Sequence, residues 1–282
     1  MRMKQGQRWL AGLGAATAVG ASTLLGLSTM AAAQTAAPAR AAKPAHAVAT
    51  AAPAPAKAIA PAWTPIKHTL RPGDRGRAVR KVQRRLWELG YWPGKVDGQF
   101  GPDTIEAVWA FKEVQGIQLS VNPDNIGPAT ERALADPKDP VPLTRHHQKN
   151  RIDVNLGDAA RGGYLVLYRH GHVRLISHIS SGGGYYFCDP KPNQNVCGYA
   201  ITPTGNYKAL SFQPGNLKVP LGYMYNPVFF IGREFAIHGG DAVPLGPISH
   251  GCVRIPTDTS LFFHKLFKIP GTPIYVRHRI VR

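Results

Sequence analysis

The stretch GYLVLYRHGHVRLISHIS, residues 163–180, decides the fold class of the C-terminal half. Two runs rich in β-branched and aromatic residues flank His170-Gly171, so it reads as two strands joined by a tight turn. Just upstream, RIDVNL (151–156) alternates apolar and polar residues as a half-buried strand does. Further strand candidates are 198–202, 206–212, 228–231, 235–238 and 273–278. One helical pattern, about 257–267, directs Leu261, Phe262 and Leu266 toward a core. Many short strands with Gly/Pro turns predict a mainly-β, β-sandwich-like domain over residues 151–282, with one helix after Cys252.

Residues 67–136 differ in character. Val79, Val82, Leu86 and Leu89 recur at helical spacing with Arg and Lys on the other face, and Gly90 stops that helix. Pro102 opens a second helix whose apolar stripe is Ile105, Ala107, Val108 and Phe111; Pro128 opens a third, ending near Leu134. Three short helices predict a small bundle with a minimal core of its own. Asp97 and Asp103 read as a turn residue and a first-turn acid, not as catalytic groups. Residues 137–150, PKDPVPLTRHHQKN, form a polar linker in which His146 and His147 read as solvated rather than as metal ligands.

The first 33 residues carry Arg2, Lys4 and Arg8, then a small apolar run to Met30 and Ala31-Ala32-Ala33, the pattern of a secretory signal peptide. An uncleaved membrane anchor is the rival reading, weakened by the Ala, Gly, Ser and Thr content. Residues 34–66 are nearly all Ala and Pro, which predicts a disordered tether. The 282-residue chain has net charge +18, from 34 Lys+Arg against 16 Asp+Glu, which suits a polyanionic partner. Export directs that toward wall polymers or lipid headgroups. Zinc-finger spacing, an RNA-binding aromatic signature and a basic helical stripe are not evident, so nucleic acid is set aside.

Chemistry concentrates around PISHGCVRIP, residues 247–256, which holds one of three cysteines. A thiol becomes nucleophilic beside an imidazole or a cation. His250 is two residues away; His238, at the end of the apolar run Phe235-Ala236-Ile237, is fourteen residues back, a gap long enough for a loop to return the two segments to each other. Gly251 lets the chain turn tightly and leaves amides to face a developing oxyanion.

The pattern His238-Gly239…Ser249-His250-Gly251-Cys252-Val253-Arg254 resembles the signature of the L,D-transpeptidase (YkuD-type) catalytic domain. Thr202-Pro203-Thr204-Gly205-Asn206-Tyr207 matches that family's TPxG motif, and Ile152 to Asp158 its first strand. Residues 70–134 resemble a three-helix peptidoglycan-binding module, through Gly73-Asp74, Leu89-Gly90-Tyr91 and Asp97-Gly98-Gln99-Phe100-Gly101 followed by Thr104, Ala107-Val108 and Phe111. The resemblance implies Cys252 as nucleophile on the third residue of a tetrapeptide stem and His238 as general base. The Gly239 carbonyl would orient the imidazole, and amides around Gly251 and Cys252 would form the oxyanion hole. Ser249, His250, Arg254 and Tyr225 would shape the substrate site. It implies peptidoglycan as partner, carbapenem acylation of Cys252, and neither metal nor cofactor.

Where relatives carry Thr or Ser after His-Gly, this chain has Gly240 and Asp241, whose role is read as secondary. Cys188 and Cys197 flank a short Pro/Asn-rich loop, and in an exported protein that spacing favours a disulfide. The alternatives are free thiols or pairing with Cys252. Water as acceptor would make the same site an L,D-carboxypeptidase, and a chain without catalysis would be a wall-binding protein.

Overall fold

Strand β2 (Gly163–Arg169) is buried along nearly its whole length, without the alternation of a half-exposed strand. In the computed structural model, which describes residues 63–144, 148–157, 162–189, 196–240 and 243–278, its two faces meet different partners. Leu165 and Leu167 enter a core with Ile152, Val154, Val228 and Ile237. Tyr164, Val166 and Tyr168, with Ile176 of β3 (His172–Ile179), enter a second core made with the N-terminal helices. The two runs of residues 163–180 therefore form the expected hairpin, but one that both domains share. The expected signal peptide, most of the expected tether, His146, His147, Asp158 and Asp241 lie outside the described residues.

The helices are α1 (Arg77–Glu88), α2 (Pro102–Gln115) and α3 (Pro128–Ala135). Val79, Val82 and Leu86 of α1 pack with Val108 and Phe111 of α2 and Leu134 of α3. Buried Gln83 staples the Asp97-Gly98-Gln99 turn: its amide nitrogen donates to Asp97 Oδ1 and the Gln99 carbonyl, and its oxygen accepts from the Gly98 amide. The bundle is not self-contained as the sequence suggested. Its core is completed by β2 and β3, and Trp92 stacks edge-on against Phe262 of the β domain at 4.9 Å.

The β domain is two five-stranded layers. One has the order β3-β2-β1-β12-β6, where β1 is Arg151–Leu156, β6 is Gly205–Lys208 and β12 is Pro273–His278. The other runs β11-β10-β9-β7 with β8 also on β9; these are β7 (Ser211–Phe212), β8 (Asn216–Val219), β9 (Gly222–Ile231), β10 (Phe235–Gly240) and β11 (Val253–Pro256). A separate hairpin pairs β4 (Tyr186–Asp189) with β5 (Val196–Tyr199).

The expected strand 206–212 is two strands in different layers, because the chain crosses at Ala209, whose amide bonds Thr272 of the first layer. The expected helix stops earlier, as α4 (Thr257–Phe263), where Lys265 and Leu266 amides close i→i+3 turns instead. Among the described residues no helix is long and apolar enough to cross a membrane.

Candidate active site

Strand β11 lies parallel to β10, pairing Ile237 with Val253 and His238 with Arg254. Paired residues share a face, and side chains alternate along each strand. Ile237, Val253 and Ile255 therefore enter the sandwich core, while Ala236, His238 and Arg254, with Cys252 just ahead of β11, occupy the outer face. The β8–β9 hairpin folds over this face: Cys252 packs against Met224, Phe229 and Ala236, with Leu217 and Val219 beside them.

The opposing strand is irregular at His238. Ile237 pairs with Val228 and Gly239 with Tyr225, so β9 sets Asn226 and Pro227 against the single residue His238. Asn226 takes a left-handed conformation (φ 49°) and anchors the bulge through bonds to Gly215. Bulges bend a strand and re-aim side chains beside active sites.

His238 is buried, and its Nδ1 lies 2.8 Å from the Gly239 carbonyl. That contact requires the proton on Nδ1 and leaves Nε2 with its lone pair. Burial holds the imidazolium down to about 4, against the Gly239 bond and with help from the Arg254 charge. Burial pushes the Cys252 thiol up, opposed by the Ala236 backbone and by Arg254. Both shifts favour a neutral thiol beside a neutral imidazole. The thiol's hydrogen-bond partner is the Glu234 carbonyl, at 3.6 Å, rather than the imidazole.

Three expected roles change. Ser249 is buried, and its hydroxyl donates to the Cys252 carbonyl at 2.5 Å while accepting the Gly251 amide at 3.1 Å. It is a staple for the cysteine loop, not a surface for substrate. The same bond occupies the Gly251 amide, so Gly251 does not offer a free oxyanion donor. Tyr225 stands on the wrong side: a Cβ on Gly239 would lie 2.5 Å from Ser260 Oγ of α4 and 3.0 Å from Tyr225 Cβ. Tyr225 thus shares the helix-facing side of the sheet, and Tyr223 lines a neighbouring cleft instead.

This neighbouring cleft of about 460 Å³ is lined by Phe187, Cys188, Lys218, Val219, Tyr223 and His250 among others; Cys252 and His238 do not line it. His250 meets Phe187 and Tyr185 edge-on, at ring separations of 4.7 and 5.8 Å. Cys188 and Cys197 sit opposite each other in the β4–β5 ladder and are joined as a disulfide, which fixes this wall. Closing so short a loop stabilises by about 2–3 kcal/mol on the chain-entropy model. Thiol titration of the denatured, unreduced protein is expected to find one reactive thiol, and three would exclude the bridge.

Thr202 is a residue whose use the sequence did not specify. Its hydroxyl donates to the Gly251 carbonyl and accepts the Gly182 amide, both at 2.8 Å, so the TPxG segment braces the cysteine loop. Its signal was the motif itself; the Glu234 carbonyl, being backbone, carries none. Gly251 has φ +136°, and a Cβ there would meet Phe235 at 2.8 Å and the Ile201 carbonyl at 2.9 Å. Gly251→Ala is expected to cost about 1–3 kcal/mol through strain and overpacking. Thermal melting checks this, with a parallel loss of Cys252 labelling as the loop shifts.

No protein of curated function matches the chain. The family model for the L,D-transpeptidase catalytic domain matches residues 149–276, and that for the peptidoglycan binding domain matches residues 75–134. The crystal structure of the L,D-transpeptidase (residues 123–326) from Xylanimonas cellulosilytica is similar over 76% of this chain and 100% of its own, at 28% identity and TM-score 0.65. An L,D-transpeptidase from Stackebrandtia nassauensis aligns over 76% of this chain and 97% of its own, at 17% identity and TM-score 0.39, too distant to add weight. The chain thus combines a segment that matches the L,D-transpeptidase catalytic domain, residues 149–276, with one that matches a peptidoglycan-binding domain, residues 75–134.

Proposed function

We propose that the protein is an exported peptidoglycan L,D-transpeptidase that joins third stem residues through a Cys252 thioester. The observation that carries this reading is the parallel β10–β11 pairing, which puts His238 and Cys252 on one face with the imidazole held by the Gly239 carbonyl. Cys252 Sγ attacks the carbonyl of the donor's third residue while its proton passes to His238 Nε2. The tetrahedral species collapses, the C–N bond to D-alanine breaks, and Nε2 returns that proton to the leaving amine. An acceptor amine then attacks the thioester and gives a proton to His238. The C–S bond breaks, and the thiolate recovers the proton.

The Gly251 amide being bound to Ser249 Oγ, the Cys252 amide is the oxyanion donor we assign in its place. Arg254, whose charge acts on both Cys252 and His238, and His250, on the cleft wall, hold the stem. The reading includes a signal peptide over residues 1–33, a tether over 34–66, a wall-binding domain over 67–136, a linker over 137–150 and the catalytic domain over 151–282. It also includes acylation of Cys252 by carbapenems.

Incubation with purified disaccharide-tetrapeptide and mass analysis tests it. Cross-linked dimers with loss of D-alanine are the expected product. Tripeptides alone would make the protein an L,D-carboxypeptidase, and unchanged substrate would overturn both.

A further inference from the structure

The Arg and Lys face of α1, opposite Val79, Val82 and Leu86, forms a basic stripe. Arg77, Arg80, Lys81, Arg84 and Arg85 line a cleft of about 360 Å³ together with Trp63 and Glu88. This is a different place from the Cys252 site, and Trp63 lies ahead of the segment that matches the peptidoglycan-binding family.

Two donors in this cleft are buried without a hydrogen-bond acceptor among the described residues. Arg85 is only 8% exposed; its Nε donates to the Leu134 carbonyl and its Nη1 lies 3.8 Å from Glu88 Oε2, beyond hydrogen-bond reach. Among the described residues, neither Arg85 Nη1 nor the indole Nε1 of Trp63 has a hydrogen-bond acceptor. A buried donor without an acceptor costs about 1–3 kcal/mol, so such a pair fits a site completed by an incoming acceptor. Trp63 is held in place, because Lys81 lies over its ring at 4.6 Å and bonds the Thr64 carbonyl.

We propose that this cleft binds a phosphodiester wall polymer, with one phosphate oxygen accepting from Arg85 Nη1 and Trp63 Nε1. The next charges would follow Arg84, Arg80 and Arg77 along the helix. At 1.5 Å per residue, Arg77 to Arg84 spans about 10 Å, enough for more than one phosphate of an extended chain. Guanidinium groups pair with phosphate oxygens through two parallel N–H bonds. The excess of cations over the single Glu88 suits a repeating anion better than one stem peptide. The proposal takes from the wall reading only the choice of polymer.

The test uses the full chain and synthetic poly(glycerol phosphate), with polyglutamate and single-stranded DNA of matched charge as competitors. Binding is expected to weaken steeply with salt. Arg77→Gln/Arg84→Gln should weaken it about tenfold, and Trp63→Phe, which keeps the ring and removes the N–H, several-fold. These variants avoid the buried Arg85, so folding is preserved, and cross-linking of soluble disaccharide-tetrapeptide should be unchanged. Unaltered polymer binding in both variants would overturn the proposal, as would equal or tighter binding of polyglutamate or DNA. Activity on the soluble substrate reports separately on the proposed transpeptidase chemistry.

Discussion

Cys252→Ala is expected to abolish cross-link formation, by about 10⁴-fold or more, while the melting temperature moves little, since Cys252 is only partly buried at the edge of a small cluster. Mass spectrometry of the protein after exposure to a carbapenem gives the second readout: adduct on the parent chain, none on the variant. His238→Gln should lower the rate of acylation by about 10²–10⁴-fold without removing the thiol. Full activity in Cys252→Ala would end the assignment.

The pH profile follows from the same geometry. A base works in its neutral form, and burial keeps the His238 imidazolium down to about 4. Acylation is therefore expected to rise as pH climbs through about 4 and to stay flat through neutrality. It should not show a limb near the ordinary histidine value. Arg254 depresses both groups, so Arg254→Gln should move the acid limb to higher pH and make the thiol harder to ionise. A limb that stays put would show that Arg254 acts on substrate alone.

Much of this site was legible because the chemistry is written in side chains. His238 and Cys252 are uncommon residue types at strand ends, and their fourteen-residue separation permits the return that β10 and β11 make. What stayed hidden was carried by backbone or by alternation. β11 is absent from the strand candidates, since a four-residue parallel strand has almost no periodicity to read. Tyr225 was misplaced because Asn226-Pro227 adds a residue to β9 and reverses which neighbours face the site. Ser249 and Gly251 were assigned to substrate and oxyanion because nothing in their types reveals that they bond each other. The run GYLVLY carried a clue to the shared hairpin: an unbroken apolar strand has two buried faces, and the second belongs to the helices.

That shared face holds the charge pair with the largest expected effect on stability. His178 of β3 places Nδ1 2.9 Å from Glu113 Oε1 of α2 and Nε2 3.0 Å from the Pro244 carbonyl. Both partners are acceptors, so the ring satisfies them only as a cation. Burial by itself would lower the His178 pKa; the Glu113 charge and hydrogen bond, with the Pro244 bond, outweigh it and raise the value. His178→Leu leaves the Glu113 carboxylate buried without its cation, and a loss of about 3–5 kcal/mol is expected. Glu113→Leu/His178→Leu should recover most of it.

A raised folded pKa means that the pair's contribution is complete below about 6.5 and is lost as pH rises through the folded value. Glu106, which burial raises to about 7 against the His178 charge, makes the parent and the double variant alike lose stability as pH rises, so the difference between them reports on the pair. Denaturation across pH 5 to 9 should therefore show the parent losing stability relative to the double variant as pH rises. A parent that gains would contradict the cationic His178. The Pro244 contact reaches the segment leading to Cys252, whose Gly246 and Ile248 are tied to Ser180 Oγ two residues beyond His178. Partial loss of acylation in His178→Leu, at temperatures where the variant remains folded, would show that the peptidoglycan-binding helices help to hold the cysteine loop in place.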